Sequence, residues 1–507
     1  MEAGISSLKP KGFLGMINQH SWMFLSSYEK LREHLIDTIH FDTMLHLGPR
    51  TFPEIGGEVV QNTSFVAVNK QSKDKGVFLR LVDFKDSHLK NIKTKKAVSD
   101  TGVDYRILFN QNELNKIPGH PFAYWISDTI VKLFEKVKSL NDVIFADGQN
   151  KTANNDKFVR LIWEAKCLEI GPDKDYIFYA KGGPFRKWHG NLNYIAKWDE
   201  KSTKHYSKDR IARIIKKDYW YRKGYTFSRM SEKANVRVLD QRGTFDATTV
   251  SFFIEESFEN EYHNLLGFFN SKVCDYFIHI LNPTLVFQLV DIRNIPYITG
   301  IKTVKPIIQN CIDISLADWY SRENSFDFQH NELIRIQGQD IEEAYDSYCL
   351  YWQNKFSELH KNEEELNRQF IDIYGLQDEL APDVPLKDIT ILKDETSIEN
   401  GELVFRESEI MAQFISYAVG CMFGRYSLDK PGLILANQGE TLETYLENLN
   451  ASNSKLKTPE DLTFVPDDNN VIPVLDNEWF EDDIVNRFYA FLKPHLESQI
   501  LIKTLPL

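Results

Sequence analysis

Between Ala180 and Gly243 the chain gathers 17 Lys and Arg against six Asp and Glu, interleaved with ten aromatic residues. A stretch of this kind can fold only by burying the rings and turning its cations toward solvent or toward a polyanion. Net charge over the 507 residues is −13, so this local +11 leaves about −24 for the rest. The acidic extreme runs from Glu460 to Asn486, with nine acidic residues and no Lys or Arg. Charge separated by segment implies regions with different partners, the basic one facing a polyanion.

Over the whole chain, 42% apolar and 26% charged residues exclude a predominantly disordered, collagen-like or disulfide-framed protein. The length predicts about three domains. Five cysteines (Cys167, Cys274, Cys311, Cys349 and Cys421) lie far apart without a CxxC pair, which fits a reducing compartment and no zinc site. No apolar run reaches the ~18–20 residues of a membrane helix. A short N-terminal patch, Phe13–Ile17, is interrupted by Asn18, Gln19 and His20 too early for a signal sequence. The expectation is a soluble, cytoplasmic protein with no membrane partner and no bound metal.

The pattern along the chain predicts three regions. Residues 1–115 read as α/β, with a strand at Phe13–Ile17, an N-cap at Ser26-Ser27 opening a helix through Leu35, and strands at Ile39–Leu47 and Asn62–Asn69. The turn Gly48-Pro49 and the loop with Gly56-Gly57 separate the last two. This is half of a doubly wound sheet, as though the chain began inside the fold. Ile107-Leu-Phe and a main helix at Phe122–Lys138 form a connector. Residues 116–300 carry short strands such as Tyr176–Tyr179, Val236–Leu239 and Thr249–Ile254, then a helix at Tyr262–Leu281. Residues 301–507 read as helical and acidic, including Asp340–Ile373 and Glu407–Phe423.

Several chemistries find no support. There is no GxxxxGK[ST] loop, no strand-linked GxGxxG, no HExxH and no GxSxG. Asp156 with Glu164-Ala-Lys166 imitates a metal-dependent nuclease, a triplet common by chance. Asn282-Pro283-Thr284 imitates the Asn-Pro-Pro-aromatic loop of amino-methyltransferases but lacks the second proline and the stacking ring, so a turn or helix end is expected there. The basic segment is more informative. Lys181-Gly-Gly-Pro-Phe-Arg186-Lys187-Trp188 surrounds a flexible Gly-Gly with cations and rings, and Asp218–Arg229, including Arg222 and Lys223, repeats the mixture. Such cations can neutralise phosphates or read base edges. Lys181, Arg186, Lys187, Trp188, Lys217, Arg222, Lys223, Arg229 and Arg237 are therefore the candidate DNA-binding residues.

Taken in order, several stretches resemble the BREX phage-defence adenine methyltransferases (PglX) and, more distantly, the type IIG restriction–modification methylases. Gly12–Ser27 with Leu31-Arg32, Leu47–Glu54 followed by Asn62–Val68, and Asn154–Arg160 carry the resemblance in the first half of the chain. Arg242–Asp246, Asn282–Pro296, Ser416–Lys430 and Asp467–Asp483 continue it. The resemblance implies a partial Rossmann-like methyltransferase sheet, then an α+β target-recognition domain and a mostly helical C-terminal domain. It implies N6-methylation of adenine within a short site in double-stranded DNA, with S-adenosylmethionine as cofactor. The target base must be flipped from the duplex, and Phe52 corresponds to a ring that stacks on it.

The Asn-Pro-Pro-Tyr motif and the glycine-rich cofactor loop of that family are absent from these 507 residues, so no catalytic residue is expected in this chain and none to bind the cofactor. Pro494–Leu507 also departs from the family's continuation. The expectation is the C-terminal part of a split or truncated methyltransferase, inactive alone, partnered by an N-terminal half in trans and by other BREX proteins. The alternative is a non-catalytic DNA-binding or interaction protein, or a relic.

Overall fold

The computed structural model describes residues 1–54, 60–146, 148–283, 286–301, 304–336, 338–437, 439–450, 455, 458–476 and 479–494. It is a mixed α/β structure of several small sheets and many helices, arranged as two compact units. One comprises Met1–Ile144, Lys272–Gly300 and Ile371–Leu380; the other comprises Phe145–Ser271, Ile301–Phe370 and Ala381–Leu507. Each unit is assembled from separate stretches of the chain. Gly56-Gly57 and most of Pro494–Leu507 lie outside the described residues.

The first unit is built on strands β1 (Phe13–Gln19), β2 (His40–Gly48), β3 (Asn62–Val68), β4 (Gly76–Arg80) and β5 (Arg106–Phe109), in the order β1-β3-β2-β4-β5. β3 runs antiparallel to both its neighbours, β2 and β4 are parallel, and β5 is antiparallel to β4. Ile107 therefore lies in an edge strand rather than in a connector helix. Helices α1 (Glu2–Ser6), α2 (Glu29–Thr38), α3 (Ser87–Ser99) and α4 (Asp128–Lys136) complete the unit's N-terminal part.

Register sorts the side chains onto two faces. Ala67 and Phe65 of β3, flanked by Phe41 and Met44 of β2, face an aromatic core. There Trp22, Phe41, Phe65 and Phe122 pack with centroid separations from 4.9 Å (Trp22–Phe122) to 5.9 Å (Trp22–Phe65). On the opposite face Ala97 of α3 covers Leu79 and Leu81, with Leu45, Leu47 and Val77 alongside. That cover stops short of β1, where Phe13 is 67% and Ile17 51% exposed, and Val66 beside them is also exposed.

Two helix expectations shift. Ser26 and Ser27 form a 3-10 turn without a side-chain cap, and α2 starts at Glu29. The helix expected over Phe122–Lys138 is confined to α4, where Ser127 Oγ accepts from Ile130 N; Phe122, Ala123 and Tyr124 are buried in irregular chain after Pro121. Arg32 of α2 is buried and ties this region together, donating to Trp22 O (3.0 Å), Leu25 O (2.7 Å) and Gly119 O (2.8 Å). Its burial lowers the guanidinium pKa to about 10.

The second unit holds β6 (Val159–Leu161), β7 (Tyr176–Ala180), β8 (Tyr194–Lys197), β9 (Tyr225–Ser228), β10 (Arg237–Val238), β11 (Gly243–Phe245) and β12 (Thr249–Ile254). One sheet has the order β11-β7-β8-β6, with β11 parallel to β7; in another, β9 lies antiparallel to β10 and β12. The parallel pair explains the stretch Arg242–Asp246. A Cβ at Gly243 would lie 1.9 Å from Phe178 O, so only glycine admits β7. Arg242 pairs with Asp240 and Asp327 (both 2.7 Å), Phe245 enters the core, and Asp246 accepts from Thr248 N. Helices α5 (Glu200–Lys208), α6 (Tyr262–Phe269), α7 (Lys305–Tyr320), α8 (Ile341–Tyr374, in this unit as far as Phe370) and α9 (Glu407–Met422) belong here too. The single helix expected over Tyr262–Leu281 is broken at Asn270-Ser271, because Asn270 Nδ2 and Oδ1 are committed to the backbone of Val236.

Candidate nucleic-acid interface

The loop after β7 was the segment that local sequence marked for phosphate contact. Arg186 is buried and its guanidinium pairs with Asp318 of α7 at 2.8 Å. It also donates to His189 O (2.6 Å), Ser315 O and Thr390 O (both 3.1 Å) and lies over the Trp319 ring. Lys187 Nζ meets Glu363 of α8 at 2.7 Å, and the other oxygen of that carboxylate accepts from Trp188 Nε1 at 2.8 Å. Trp188 is among the most deeply buried side chains of the chain. Arg237 is fully buried too, donates to Arg186 O and Asn235 O, and has its pKa lowered to about 9 by burial. These four residues are framework, not surface. A cation in that position would have to abandon a buried carboxylate or carbonyl to reach a phosphate.

The other candidates lie nearer solvent. Lys217 and Lys223 are exposed, the latter with Nζ 3.8 Å from the Tyr262 ring centroid. Arg222 is half-buried over Phe145 and Phe253, at 4.9 and 5.7 Å. Lys181 stands 4.0 Å from Asp246 and over Tyr194, and Arg229 is half-buried.

Sequence reading passed over five further exposed cations of this unit. Lys201, Lys208, Arg210, Arg213 and Lys216 all face solvent on α5 and the loop that follows, continuing to Lys217 and Lys223. Asp199 caps α5 through Ser202 N (2.8 Å), and Tyr206 anchors its inner face by donating to Lys197 O (2.8 Å). Asp209 then turns the chain, accepting from Ile211 N and Ala212 N; those bonds hold its carboxyl below the usual range. The density of Lys and Arg from 201 to 217 was the available signal, masked by the aromatic-rich stretches on either side.

In the first unit Phe52 is 38% exposed, in the bend after β2. Its loop is clamped where it leaves and rejoins the sheet. Lys90 of α3 donates to Leu47 O (2.5 Å) and Pro49 O, and His20 N donates to Gln61 O (2.9 Å). Below the loop the rings of His20 and His46 meet at 2.9 Å between Nδ1 and Nε2, both buried. Burial lowers the pKa of His20 to about 4 and holds that of His46 well below its ordinary value, helped by His20, Arg80 and Lys90.

The two imitations of other sites resolve into structural roles. Glu164 accepts from Leu161 N (2.6 Å), and Asp156 sits exposed on a short helical turn. Among the described residues no group of three or more His, Cys, Asp or Glu could hold a metal ion. Asn282 is buried and donates to Asp291 Oδ2 (2.7 Å) and Val286 O (3.1 Å), closing the turn after the helix Lys272–Leu281; Thr284 lies outside the described residues. Among the described residues no helix is long and apolar enough to cross a membrane.

No family model matches the chain. It is 33% identical over 506 residues to the adenine-specific methyltransferase BrxX of Escherichia coli O9:H4 (strain HS), covering 97% of this chain and 40% of that protein. It is 34% identical over 527 residues to the adenine-specific methyltransferase PglX of Lacticaseibacillus casei (strain Zhang), covering 98% and 41%. The chain therefore spans about two fifths of the length of these relatives. Among solved structures, the type IIL restriction–modification enzyme MmeI in complex with DNA is matched over 73% of this chain and 48% of that one, with TM-score 0.40 and 10% identity. The ATP-dependent type ISP enzyme LlaBIII bound to DNA is matched over 63% and 26%, with TM-score 0.35 and 12% identity.

Proposed function

Since the chain is a relative of the adenine-specific methyltransferases BrxX and PglX along nearly its whole length, we propose that it supplies DNA target recognition to a site-specific adenine-N6 methyltransferase of a BREX phage-defence system. The observation that carries this is the run of exposed cations from Lys201 to Lys223 on the second unit. A strip of that kind binds the backbone of double-stranded DNA and holds register, while neighbouring side chains reach base edges. Half-exposed Phe52, on its clamped loop, is the ring offered to the flipped adenine.

S-adenosylmethionine supplies the methyl group in this reading. The 507 residues contain neither a glycine-rich loop after a strand nor an Asn-Pro-Pro-aromatic motif, so they do not fit the cofactor and no transfer step is assigned to their side chains. Those parts must come from outside these residues. The open edge strand β1, with Phe13 and Ile17 exposed, is where a catalytic portion in trans would pair and extend the sheet.

The test is the salt dependence of DNA binding. Replacing Lys208, Arg210, Arg213 and Lys216 with Ala should reduce the slope of log K against log salt by about 0.9 for each phosphate no longer neutralised. The charge-neutral pair Lys187→Met with Glu363→Gln should leave the slope unchanged. An unaltered slope in the fourfold variant would move the DNA surface elsewhere. Methylation by this chain alone, with cofactor and DNA, would overturn the assignment of catalysis outside it.

A further inference from the structure

Away from the cationic strip, the second unit contains a cleft of about 510 Å³. It opens between the segment Ile162–Cys167 after β6, the turn Glu323–Phe328 after α7, and the stretch Arg425–Ala436 after α9. Its size suits one small ring system with its substituents. The walls are aromatic and already fixed. Phe326 stands edge-on to Phe178 (5.1 Å, 90°), with the Arg242 guanidinium 5.5 Å from its ring. Tyr426 is stacked on Tyr417 (5.2 Å, 19°) and edge-on to Phe328 (5.3 Å).

Polar side chains interrupt these walls. Glu323 and Arg425 form an ion pair at 3.3 Å, presenting an acceptor and a donor with no net charge. Ser325, only 6% exposed, lines the cleft, and its hydroxyl has no hydrogen-bond partner among the described residues. The hydroxyl oxygen is itself buried, so Ser325 shapes the wall without offering a ligand a hydrogen bond. Trp163 also lines the cleft and is 57% exposed, so its ring is free to be covered.

We propose that this cleft binds a nucleobase. A base is flat, neutral and apolar on its faces, and its edge carries both donors and acceptors. Its face suits Trp163, and its edge suits the donor and acceptor of the Glu323–Arg425 pair. An aliphatic chain would cover the Glu323–Arg425 pair without engaging its donor or its acceptor. An isolated charge would have to break the ion pair to find a counter-ion. The base can belong to a free nucleotide or to an unstacked position of a strand, and the chemistry of recognition is the same. The site is separate from the target-recognition surface proposed above and does not depend on it.

The test uses the full chain. Adenosine and cytidine monophosphates are titrated by calorimetry, and a single strand containing 2-aminopurine is followed by its fluorescence. Each is repeated with Trp163→Ala, with affinity for a short duplex measured on the same samples. Saturable mononucleotide binding that weakens about tenfold or more in Trp163→Ala, at unchanged duplex affinity, identifies a free nucleotide as the source. Quenching of the 2-aminopurine strand alone, lost in Trp163→Ala, identifies an unstacked base. Binding that is equal in this variant and in the unsubstituted chain overturns the proposal. So does the absence of any signal at millimolar nucleotide. Binding of N-acetyltryptophanamide without nucleotides would overturn it in favour of a pocket for a protein side chain. Loss of duplex binding with nucleobase binding retained would count against the recognition surface and leave this site standing.

Discussion

Glu363 holds two partners with one carboxylate, and removing it puts a number on how the loop after β7 is fastened. Its side chain is 2% exposed and that of Lys187 is 10% exposed. Glu363→Ala leaves a buried ammonium without this carboxylate and the Trp188 indole N–H without its acceptor. Breaking a buried pair from one side costs about 3–5 kcal/mol, because the remaining charge has lost its compensation. A cost of ~4 kcal/mol corresponds to about a thousandfold in the opening equilibrium. Hydrogen exchange of the amides around 186–190 and 360–366 reads that opening directly. The double change Lys187→Met with Glu363→Gln removes both charges while Gln still accepts from Trp188. It should recover all but ~1–2 kcal/mol. Protection lowered less than tenfold by Glu363→Ala would refute the reasoning, as would a double variant no better than the single one.

Three further outcomes are expected. The His20 and His46 rings have pKa values lowered by burial, whereas the unfolded chain takes up protons near pH 6.5, so stability of the first unit is present above that pH and is lost on acidification toward about pH 4, His20's own folded value. The slope contributed is ~1.4 kcal/mol per pH unit per histidine; urea unfolding at several pH values should show it, and a His20→Asn/His46→Asn chain with the same slope would exclude the pair as its source. Phe13→Lys with Ile17→Lys should make the isolated chain more soluble and prevent co-purification with a co-expressed catalytic portion; equal solubility and undiminished co-purification would show that β1 is not the pairing edge. Gly243→Ala should cost about 3 kcal/mol or more, since the new methyl would meet Phe178 O, and an unchanged Tm would show that β11 and β7 can separate without penalty.

How much of this was legible beforehand depended on how far apart the cooperating residues lie. β1, β2 and β3 were readable to within a couple of residues at most ends because alternation and β-branching are local signals. The long helix Ile341–Tyr374 was equally plain from its periodicity. The breaks at Asn270 and before Ser127 were not, since each comes from a tertiary commitment: the Val236 backbone in one case and a buried aromatic cluster in the other. The candidate site shows the same limit more sharply. Lys187 and Arg186 look like surface cations until Glu363 and Asp318, more than 130 residues downstream, are set against them. Local charge counting could locate the basic segment but could not divide it into cations already neutralised and cations left for a ligand. It also drew attention toward rings such as Trp188 and away from the plainer run at Lys208–Lys217.

The fastening of the loop after β7 also sets how this protein can be re-engineered or can diverge. Arg186 and Lys187 reach across to α7 and α8, so the strand-rich stretch 145–271 is not a cassette that can be exchanged on its own. A chimera joined at 271 would bring in a foreign loop to face Asp318 and Glu363, and the mismatch would fall on two buried carboxylates. Exchange between relatives therefore has to move these strands together with α7 and α8 as one block, and not through a single crossover at 271.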